Sequence, residues 1–474
     1  MRAPTRPPKR YEALADEIAA SIRAGTLRPG DRLPSVRQAA ASWQVNASTV
    51  FQAYYRLEAR GLVRAQARSG YYVAAAAALA EPEDTSEPDT DSIAVDVGER
   101  VFAILKATMR RDVVPLGSAF PSPLLFPLAR LAKTMAATVQ KLDPRASVDH
   151  LHQGSAALRR QIALRYLIDG LHVDADDLVV TNGAMEALHL CLAAVTRPGD
   201  SVVVESPTFY AALQALEQRG LRAIEVATHP REGIELAALA EVLERQRPSA
   251  CWLMTNFQNP LGSLMPEAKK RELVALLARH GTPLIEDDVY GELYFGARRP
   301  APAKAYDRDG LVMHCSSFSK CLAPGYRIGW VAPGRHLQTV ARLKLSTTLT
   351  ASTPAEAAIA AYLQQGGYDR HLRKLRQSLA AQQDAMLAAI ARHFPPATRA
   401  TRPDGGYFLW LELPPGVEAM DLHRRAAAQA ISVAPGPIFS SRARFERGLR
   451  LNYGHPWDEA MEAAVAALGR LASG

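Results

Sequence analysis

Cysteine and long apolar runs are both scarce in this chain. Its four cysteines, Cys191, Cys251, Cys315 and Cys321, have neither metal-site nor disulfide spacing, so we expect buried thiols and no bound metal. The first residues lack the apolar core of a secretory signal, and no stretch is long and apolar enough to span a membrane. We find no internal repeat. These absences favour a cytoplasmic protein that has no membrane partner.

Length and charge indicate a small basic head, residues 1–75, on a larger body. At 474 residues the chain is too long for one ordinary domain, and its hydrophobic content of 48% suits a globular core. Residues 1–75 carry a net charge of +7, residues 76–100 carry −7, and the other 374 residues carry +8. The concentrated positive charge predicts a polyanion as the partner of the head, although an ordinary basic terminus would have the same charge.

The head has the pattern of helices followed by a hairpin. Apolar residues recur at helical spacing near its start: Tyr11, Leu14, Ile18 and Ile22. Ser35 suits the N-cap of a second helix over residues 36–43, and a third helix begins near Asn46 and ends at Gly61. Polar residues mark the outer face of that third helix: Ser48, Gln52 and Arg56. Since LVRAQARSGYYV predicts two short strands, the whole is a winged helix-turn-helix, whose third helix would enter the major groove of double-stranded DNA.

An acidic segment separates the head from an α/β body. The stretch AAAAALAEPEDTSEPDTDS contains Pro and has no periodic apolar face, so we expect a solvated linker over residues 76–109. Over residues 110–474, helical patterns alternate with short apolar runs such as LVVTNG, SVVVESP, ACWLMTN, TPLIEDD and GLVMHCSS. Such runs are typical of strands buried on both faces of a parallel sheet. Ligands of these folds bind at the carboxyl ends of the strands.

The run SSFSKCLAPGYRIGW, residues 316–330, carries the strongest chemical signal. It predicts a lysine on a tight turn, Lys320, with hydroxyls before it and an arginine seven residues after it. This pattern suits pyridoxal 5′-phosphate, because Lys320 would form the Schiff base with the aldehyde while Ser317, Ser319 and Arg327 would bind the phosphate. An amino acid can displace a lysine imine by exchange. The alternative is a polar loop with an ordinary surface lysine.

Other segments offer a candidate for each further need of this cofactor. Backbone donors for the phosphate would come from the helix N-terminus in TNGAMEAL: Gly183, Ala184 and Met185. Asp287, at the end of the strand LIEDD, would keep the pyridine nitrogen protonated. The remaining candidates are Asn259 and Tyr290 for the phenolic oxygen, Phe209 rather than Tyr210 for the ring face, and Arg450 for a substrate carboxylate. Each alone has an ordinary structural explanation, whereas the ordered combination is hard to obtain by chance.

Residues 110–474 resemble fold-type I aminotransferases, in the branch of the 2-aminoadipate and kynurenine enzymes. The matching segments are TNGAMEALHL, ESPTFY, NFQNPLG, EDDVYGEL, SFSKCLAPGYRIGW, DGGYFLWLELP and LRLNY. Residues 8–75 resemble the winged helix of GntR-type regulators through IRAGTLRPGDRLPSVRQAA, VNASTV and LEARGLVRAQARSGYYV. Together they resemble the MocR subfamily, closest to its YdcR-type members. The resemblance implies a mainly parallel central sheet, a small C-terminal α+β subdomain, bound pyridoxal phosphate and a homodimer.

Two places depart from the pattern of this family. Many relatives have a tyrosine that reaches the neighbouring subunit's phosphate, but Asp149 stands there, and His150 or His152 would have to substitute. Ala47 and Phe51 occupy positions where many relatives carry arginine in the recognition helix. We therefore expect DNA contacts from a different set: Arg37, Arg64 and Arg68 at phosphates, and Asn46, Ser48, Thr49 and Gln52 at the start of the recognition helix, where Thr49 suits either a base or a phosphate.

Three functions are compatible with these features. The first is a transcription regulator whose aminotransferase-like body binds the cofactor at Lys320 and senses pyridoxal phosphate or an amino acid. The second is a working aminotransferase with a DNA-binding head of lesser importance, since Lys320, Asp287 and Arg450 make transamination chemically possible. The third, a DNA-binding protein with an inactive scaffold, conflicts with the intact lysine motif. We favour the first because a plain aminotransferase has no use for a basic winged helix.

Overall fold

The computed structural model describes residues 9–23, 26–28, 30–59, 62–66, 69–73, 79–108, 112–148, 151 and 153–473. The chain divides into two compact units. One comprises Met1–Ala80, Ala381–Thr398 and Trp457–Gly474, and the other comprises Glu81–Ala380 and Arg399–Pro456. Within the described ranges, no helix combines the length and the apolar character needed to cross a bilayer.

The head has the helices and the hairpin that its sequence predicts. Its elements are α1 (Arg10–Arg23), α2 (Val36–Ser42), α3 (Ala47–Ala59), β1 (Val63–Gln66) and β2 (Gly70–Val73). β1 and β2 pair antiparallel, from Val63 opposite Val73 to Gln66 opposite Gly70. Ser35 caps α2 as expected, because its hydroxyl accepts from the backbone N–H of Gln38 while the Gln38 side chain accepts from the backbone N–H of Ser35.

A small apolar core holds the elements of the head together. α1 contributes Leu14 and Ile18 to it, and α3 contributes Tyr54 and Leu57. The Tyr54 hydroxyl donates to the Pro34 carbonyl oxygen at 2.8 Å, which satisfies its polar end inside the core. Since α3 buries residues at helical spacing, the positions between them face outward.

The body is an α/β structure built on one large sheet and one small sheet. Its strands are β3 (Ile93–Ala94), β4 (Val179–Thr181), β5 (Ser201–Ser206), β6 (Arg222–His229), β7 (Gly233–Ile234), β8 (Ala250–Leu253), β9 (Leu284–Asp287), β10 (Val312–Ser317), β11 (Gly329–Ala332), β12 (Arg399–Ala400), β13 (Phe408–Glu412), β14 (Ala434–Pro435) and β15 (Gly448–Asn452). The helices that follow the head are α4 (Gly98–Thr108), α5 (Leu128–Val139), α6 (Ala156–Ile168), α7 (Ala184–Val195), α8 (Tyr210–Gln218), α9 (Leu236–Gln246), α10 (Glu267–His280), α11 (Leu337–Thr347), α12 (Thr353–Gln364), α13 (Tyr368–His393), α14 (Ala419–Ala427) and α15 (Glu459–Ala472).

The topology of the large sheet places several strand ends side by side. Its order is β3-β6-β5-β8-β9-β10-β11-β4, with β7 paired to β6. β6, β5, β8, β9 and β10 run parallel, and β11 is antiparallel to both β10 and β4. The five apolar runs are confirmed as strands, whereas four strands of this sheet do not stand out in the sequence: β3, β6, β7 and β11. A separate antiparallel sheet, β12-β13-β15-β14, matches the expected α+β subdomain.

Residues 81–92 of the acidic segment lie against the body rather than in solvent. Three carboxylates pair with arginines: Glu81 with Arg231, Asp84 with Arg399 and Asp89 with Arg442, at N–O distances of 2.8, 3.3 and 3.1 Å. α4 also falls within the range expected to be linker. This differs from the solvated segment that composition predicts, because the paired arginines come from distant parts of the chain that local composition does not show.

Ser86 connects this docked segment to the end of β5. Its hydroxyl donates to the Ser206 carbonyl oxygen at 2.6 Å and accepts from the backbone N–H of Thr228 at 2.9 Å. The backbone N–H of Ser86 also donates to the Thr228 carbonyl oxygen at 3.2 Å. The segment is therefore held by hydrogen bonds as well as by charge.

Candidate functional site

Lys320 lies on the turn between β10 and β11, at the edge where the parallel strands end. Its Nζ atom donates to the Ala119 carbonyl oxygen at 3.0 Å and lies 3.6 Å from the centroid of the Phe120 ring. Burial lowers the pKa of the Lys320 amine to about 7; Asp287 opposes this effect, and two nearby arginines add to it. An amine with that pKa is largely neutral, and therefore nucleophilic, at slightly alkaline pH.

Asp287, the last residue of β9, has an unpaired carboxylate oxygen. Among the described residues, nothing forms a hydrogen bond with its buried Oδ1 atom. Burial and the neighbouring Asp288 raise the pKa of Asp287 to about 7, although Lys320 opposes this. Burial also disfavours ionised Asp288, but Arg299, 2.6 Å away, keeps the pKa of Asp288 below its usual value. The free Asp287 oxygen is an acceptor suited to a protonated pyridine nitrogen.

Arg450 and Asn259 form the opposite side of the pocket. Arg450 is fully buried on β15; its Nη1 donates to Asn259 Oδ1 at 3.0 Å, and its Nη2 donates to the Gly117 carbonyl oxygen at 2.8 Å. Its guanidinium carbon lies 4.2 Å from the centroid of the Phe408 ring. In the part of the chain that the structure describes, Asn259 Nδ2 and Arg450 Nε have no hydrogen-bond partner. The donor on Asn259 fits the phenolic oxygen of pyridoxal phosphate, and the donor on Arg450 fits an amino-acid carboxylate. The acceptor on Asp287 fits the ring nitrogen.

The predicted phosphate residues come together around the N-terminus of α7. They are Gly183, Ala184, Met185, Ser317, Ser319 and Arg327. Arg327 Nη1 donates to the Ser319 hydroxyl at 3.2 Å, and its Nη2 donates to the Asn182 carbonyl oxygen at 3.3 Å. Gly183 has a φ of 83°, and a Cβ there would overlap the Arg327 guanidinium. A helix N-terminus, hydroxyls and an arginine in one place form a cradle for a phosphate dianion.

Two aromatic candidates lie at the wall of the same pocket. Tyr290 is buried, with its ring edge-on to Tyr407 at a centroid distance of 5.4 Å, and burial raises the pKa of the Tyr290 hydroxyl. Half-buried Phe209 immediately precedes α8, and its ring centroid lies 4.9 Å from that of Tyr210. Because the Tyr210 hydroxyl interacts with Arg450, Phe209 is the ring that is available to cover a cofactor. Its stacking role stays a prediction.

The loop over residues 117–120 forms one wall of the pocket, and no sequence motif marks it as part of the site. The Tyr407 hydroxyl donates to the Ala119 carbonyl oxygen at 3.0 Å, and Asn452 Nδ2 donates to the carbonyl oxygens of Ser118 and Phe120 at 2.9 and 2.8 Å. These bonds place the loop against Lys320 and Arg450. The run GSAFPSP is mainly Gly, Ser and Pro, which are typical of turns, and its contacts are made by backbone carbonyl groups, so the sequence had no chemical signal there. Tyr407 and Asn452 do fall in two motifs of the resemblance, DGGYFLWLELP and LRLNY.

The predicted DNA contacts lie on the outer side of the head. Those that the structure shows exposed are Arg37, Asn46, Ser48, Gln52 and Arg64, and Thr49 is half-buried. Arg56, expected on the outer face of the helix, instead pairs with Glu12 of α1 at 3.3 Å, because α1 packs beside α3. The remaining predictions lie outside the described residues: Gly61 as the helix end, Arg68 at the DNA, and Asp149, His150 and His152 at the subunit boundary.

Family comparisons divide the chain into the same two parts. Residues 10–73 match the bacterial regulatory proteins of the gntR family, and residues 128–468 match aminotransferase class I and II. The chain belongs to the MocR subfamily of GntR-type regulators. This family assignment confirms the winged helix joined to an aminotransferase-like domain that the motifs predict, and it makes the head a DNA-binding domain of GntR type.

Individual relatives support both parts of this MocR-type chain. The uncharacterised HTH-type transcriptional regulator YdcR of Escherichia coli (strain K12) is 46% identical, over 98% of this chain and 99% of YdcR. LysN, an α-aminoadipate aminotransferase from Thermus thermophilus solved with N-(5′-phosphopyridoxyl)-L-leucine, has a TM-score of 0.72 and 30% identity over 79% of this chain and 94% of LysN. Pyrococcus horikoshii kynurenine aminotransferase has a TM-score of 0.73 and 28% identity over the same shares. The body thus has the fold-type I aminotransferase architecture, which implies pyridoxal phosphate as its cofactor.

Proposed function

We propose that this chain regulates transcription by binding operator DNA with its head and pyridoxal phosphate at Lys320 in its body. The signal is pyridoxal phosphate itself or an amino acid. The observation that carries the proposal is a pocket with free, complementary groups, on a chain that also has a winged helix. We assign residues 1–75 to DNA binding, 76–109 to the connection and 110–474 to cofactor binding. Operator DNA would place the protein in the cytoplasm.

Each side chain of the pocket has one task in this proposal. The cofactor, when bound, supplies an electron sink for the α-carbon of an amino acid. Lys320 would provide the amine that holds the cofactor through its aldehyde carbon, and Asp287 would accept a hydrogen bond from the ring nitrogen and favour its protonated form. Asn259 donates to the phenolic oxygen. Arg450 pairs with the carboxylate of the amino acid, for which its guanidinium geometry is suited.

The head and the oligomeric state determine how DNA is bound. The arginines of the head bind phosphates and provide affinity, while residues at the start of α3 contact base edges and provide sequence preference. We propose a homodimer, as the resemblance to fold-type I enzymes implies. A symmetric dimer carries two heads and would therefore bind two half-sites of an operator.

The docked segment of residues 81–92 offers a physical route from pocket to head. A ligand changes DNA binding only if it binds two arrangements of the chain with different affinity. Ser86 is bonded to Ser206, and Phe209, the candidate for covering the cofactor ring, follows three residues later. If the cofactor ring packs against Phe209, it would stabilise the backbone from Ser206 to Phe209, to which Ser86 is bonded. Cofactor binding and docking of the segment would then favour each other.

The test is a DNA-binding measurement with the full-length chain. Affinity and footprint are measured on the intergenic DNA upstream of its own gene, at fixed salt, with and without pyridoxal phosphate and with amino acids added. The variants are Lys320→Ala and, as the control, Lys141→Ala, which removes an exposed lysine outside the pocket. The proposal predicts that the cofactor changes DNA binding by wild type and by the control, and leaves Lys320→Ala unchanged. Equal operator affinity with and without every ligand would overturn it.

A second function, that of a working aminotransferase, is supported by the paired Arg450 and Asn259 beside Lys320. That arrangement can hold an amino acid for reaction as well as for sensing. A steady-state assay with amino donors and 2-oxoglutarate separates the two functions. Many turnovers without any binding to nearby promoters would favour the enzyme, whereas a single half-reaction together with regulated DNA binding would favour the sensor.

A further inference from the structure

Two large aromatic side chains are exposed on α3. Phe51 is 53% exposed and Tyr55 is 66% exposed, and in the described part of the head they are the large hydrophobic side chains left outside the core. The core of the head is complete without them, since Tyr54 and Leu57 on the other face of α3 are fully buried. Exposed apolar patches rimmed by polar residues are typical of interaction surfaces.

The two rings belong to the same stripe as two of the predicted base contacts. Ser48, Phe51, Gln52 and Tyr55 are spaced i, i+3, i+4 and i+7, so they share one face of α3. All four are exposed. A helix lying in the major groove with Ser48 and Gln52 toward the bases would therefore bring Phe51 to the base edges between them, with Tyr55 one turn further along.

Charge identifies the partner of this stripe as nucleic acid. The head carries a net charge of +7, and Arg37 and Arg64 are exposed on it. Arg56, one turn after Gln52, pairs with Glu12 at 3.3 Å. The stripe from Ser48 to Tyr55 itself offers two rings, a hydroxyl and an amide. The centre of this surface is apolar, and the head around it is basic. A DNA groove has the complementary pattern, because apolar groups on base edges lie between rows of phosphates.

We propose that Phe51, supported by Tyr55, recognises the C5 methyl group of a pyrimidine in the major groove. The proposal rests on the DNA-binding function proposed above. The C5 methyl of thymine is the apolar group that base pairs present in the major groove, and 5-methylcytosine presents the same group. Arginine pairs with guanine through hydrogen bonds, whereas an apolar ring such as that of Phe51 suits the methyl group of a pyrimidine.

The experiment compares duplexes that differ only in the methyl group. The full-length chain first selects sequences from a pool of random 20-base-pair duplexes. The selected duplex is then made in three forms: with thymine, with uracil in place of thymine, and with uracil together with 5-methylcytosine in place of cytosine. Affinity for each form is measured for wild type, Phe51→Ala, Phe51→Leu and Phe102→Ala, the last being a control that removes a 64% exposed phenylalanine of α4.

Wild type and Phe102→Ala should lose about fourfold in affinity for each contacted methyl when thymine becomes uracil. Phe51→Ala should bind the thymine and uracil forms equally, and Phe51→Leu should keep part of the preference because it keeps an apolar contact. Recovery of affinity in the third form would show that the surface of Phe51 accepts the methyl group of 5-methylcytosine as well as that of thymine.

Two negative outcomes are distinguishable. Wild type that enriches a sequence but binds its thymine and uracil forms equally would overturn the role of Phe51 and leave DNA binding intact. If the chain does not bind the random duplexes, or binds them with an affinity that does not depend on salt, the DNA-binding function itself would be overturned. Because Phe51 is exposed, thermal unfolding of Phe51→Ala should match that of wild type, which excludes misfolding as the cause of a lost preference.

Discussion

Two ionisable side chains of the pocket have pKa values close to neutrality. Burial lowers the pKa of Lys320 to about 7 and raises the pKa of Asp287 to about 7. Each also stabilises the charged form of the other, which opposes the effect of burial on both pKa values. Without this burial, the lysine would be protonated and poorly reactive over the whole physiological pH range. The pocket therefore prepares the amine before the cofactor arrives.

The pH dependence of cofactor attachment follows from the lowered pKa of Lys320. Only the neutral amine attacks an aldehyde, so the attachment rate should rise with pH and level off above about 7. Arg450→Leu should move the midpoint to higher pH, because the positive charge of Arg450 helps to lower the pKa of Lys320. Stopped-flow absorbance across a pH series measures this rate. A rate that still rises tenfold per pH unit near pH 9 would show that Lys320 has an ordinary lysine pKa.

At the scale of elements, the site depends on where neighbouring strands end. Asp287 ends β9, and Lys320 follows β10, which pairs with β9 in parallel register. β15 of the small sheet brings Arg450 to the same pocket, where it contacts Asn259. Residues 81–92 then lie against the end of β5 through Ser86. One short docked segment thus contacts the same edge of the sheet that carries the chemistry.

Docking of residues 81–92 should be sensitive to charge. Exposed ion pairs are individually weak and are screened by salt, so we expect amide hydrogen exchange in this segment to accelerate several-fold at high salt or in the double variant Asp84→Asn, Asp89→Asn. Asp91→Asn is the matched control, since Asp91 lies in the same segment and is exposed. Exchange followed by mass spectrometry tests this. Equal exchange rates in the double variant and wild type would show that the ion pairs do not hold the segment.

At the scale of the whole molecule, charge is concentrated in the head. The +7 of residues 1–75 is matched by −7 in residues 76–100, which include the docked acidic segment. Arginine partners on the body neutralise part of that negative charge. Three carboxylates of the acidic segment are thus engaged by arginines of the body.

The salt dependence of DNA binding should report which arginines contact phosphates. Arg37→Ala and Arg64→Ala should each reduce the slope of log affinity against log salt by about one. Arg56→Ala is the structural control: its guanidinium is held by Glu12, so the slope should change little. Fluorescence anisotropy on one duplex at several salt concentrations measures these slopes. A loss of slope for Arg56→Ala as large as that for Arg37→Ala would mean that the pair with Glu12 opens on DNA.

Local patterns predicted most of the fold and much of the pocket. Apolar runs marked β4, β5, β8, β9 and β10, and periodicity with the Ser35 cap marked the helices of the head. β6, RAIEVATH, contains charged and polar residues and is therefore not a continuous apolar run. β11 begins inside the run 316–330, which was interpreted only as the turn that carries Lys320. Acidic composition suggested solvent for residues 81–92, where arginines from other segments bind instead. The loop over residues 117–120 carried no motif, since its role depends on backbone carbonyl groups.

The sequence by itself determined the chemistry available to this protein: a lysine motif, a strand-end carboxylate, the arginine of LRLNY and a basic winged helix. These follow from residue types at short spacing, which local rules capture. The tertiary structure decided which of them meet. Among the described residues, it left atoms of Asp287, Asn259 and Arg450 without a hydrogen-bond partner near one another, paired Arg56 with Glu12 and anchored Ser86 beside β5. Such partners are far apart in sequence, and only packing brings them into contact.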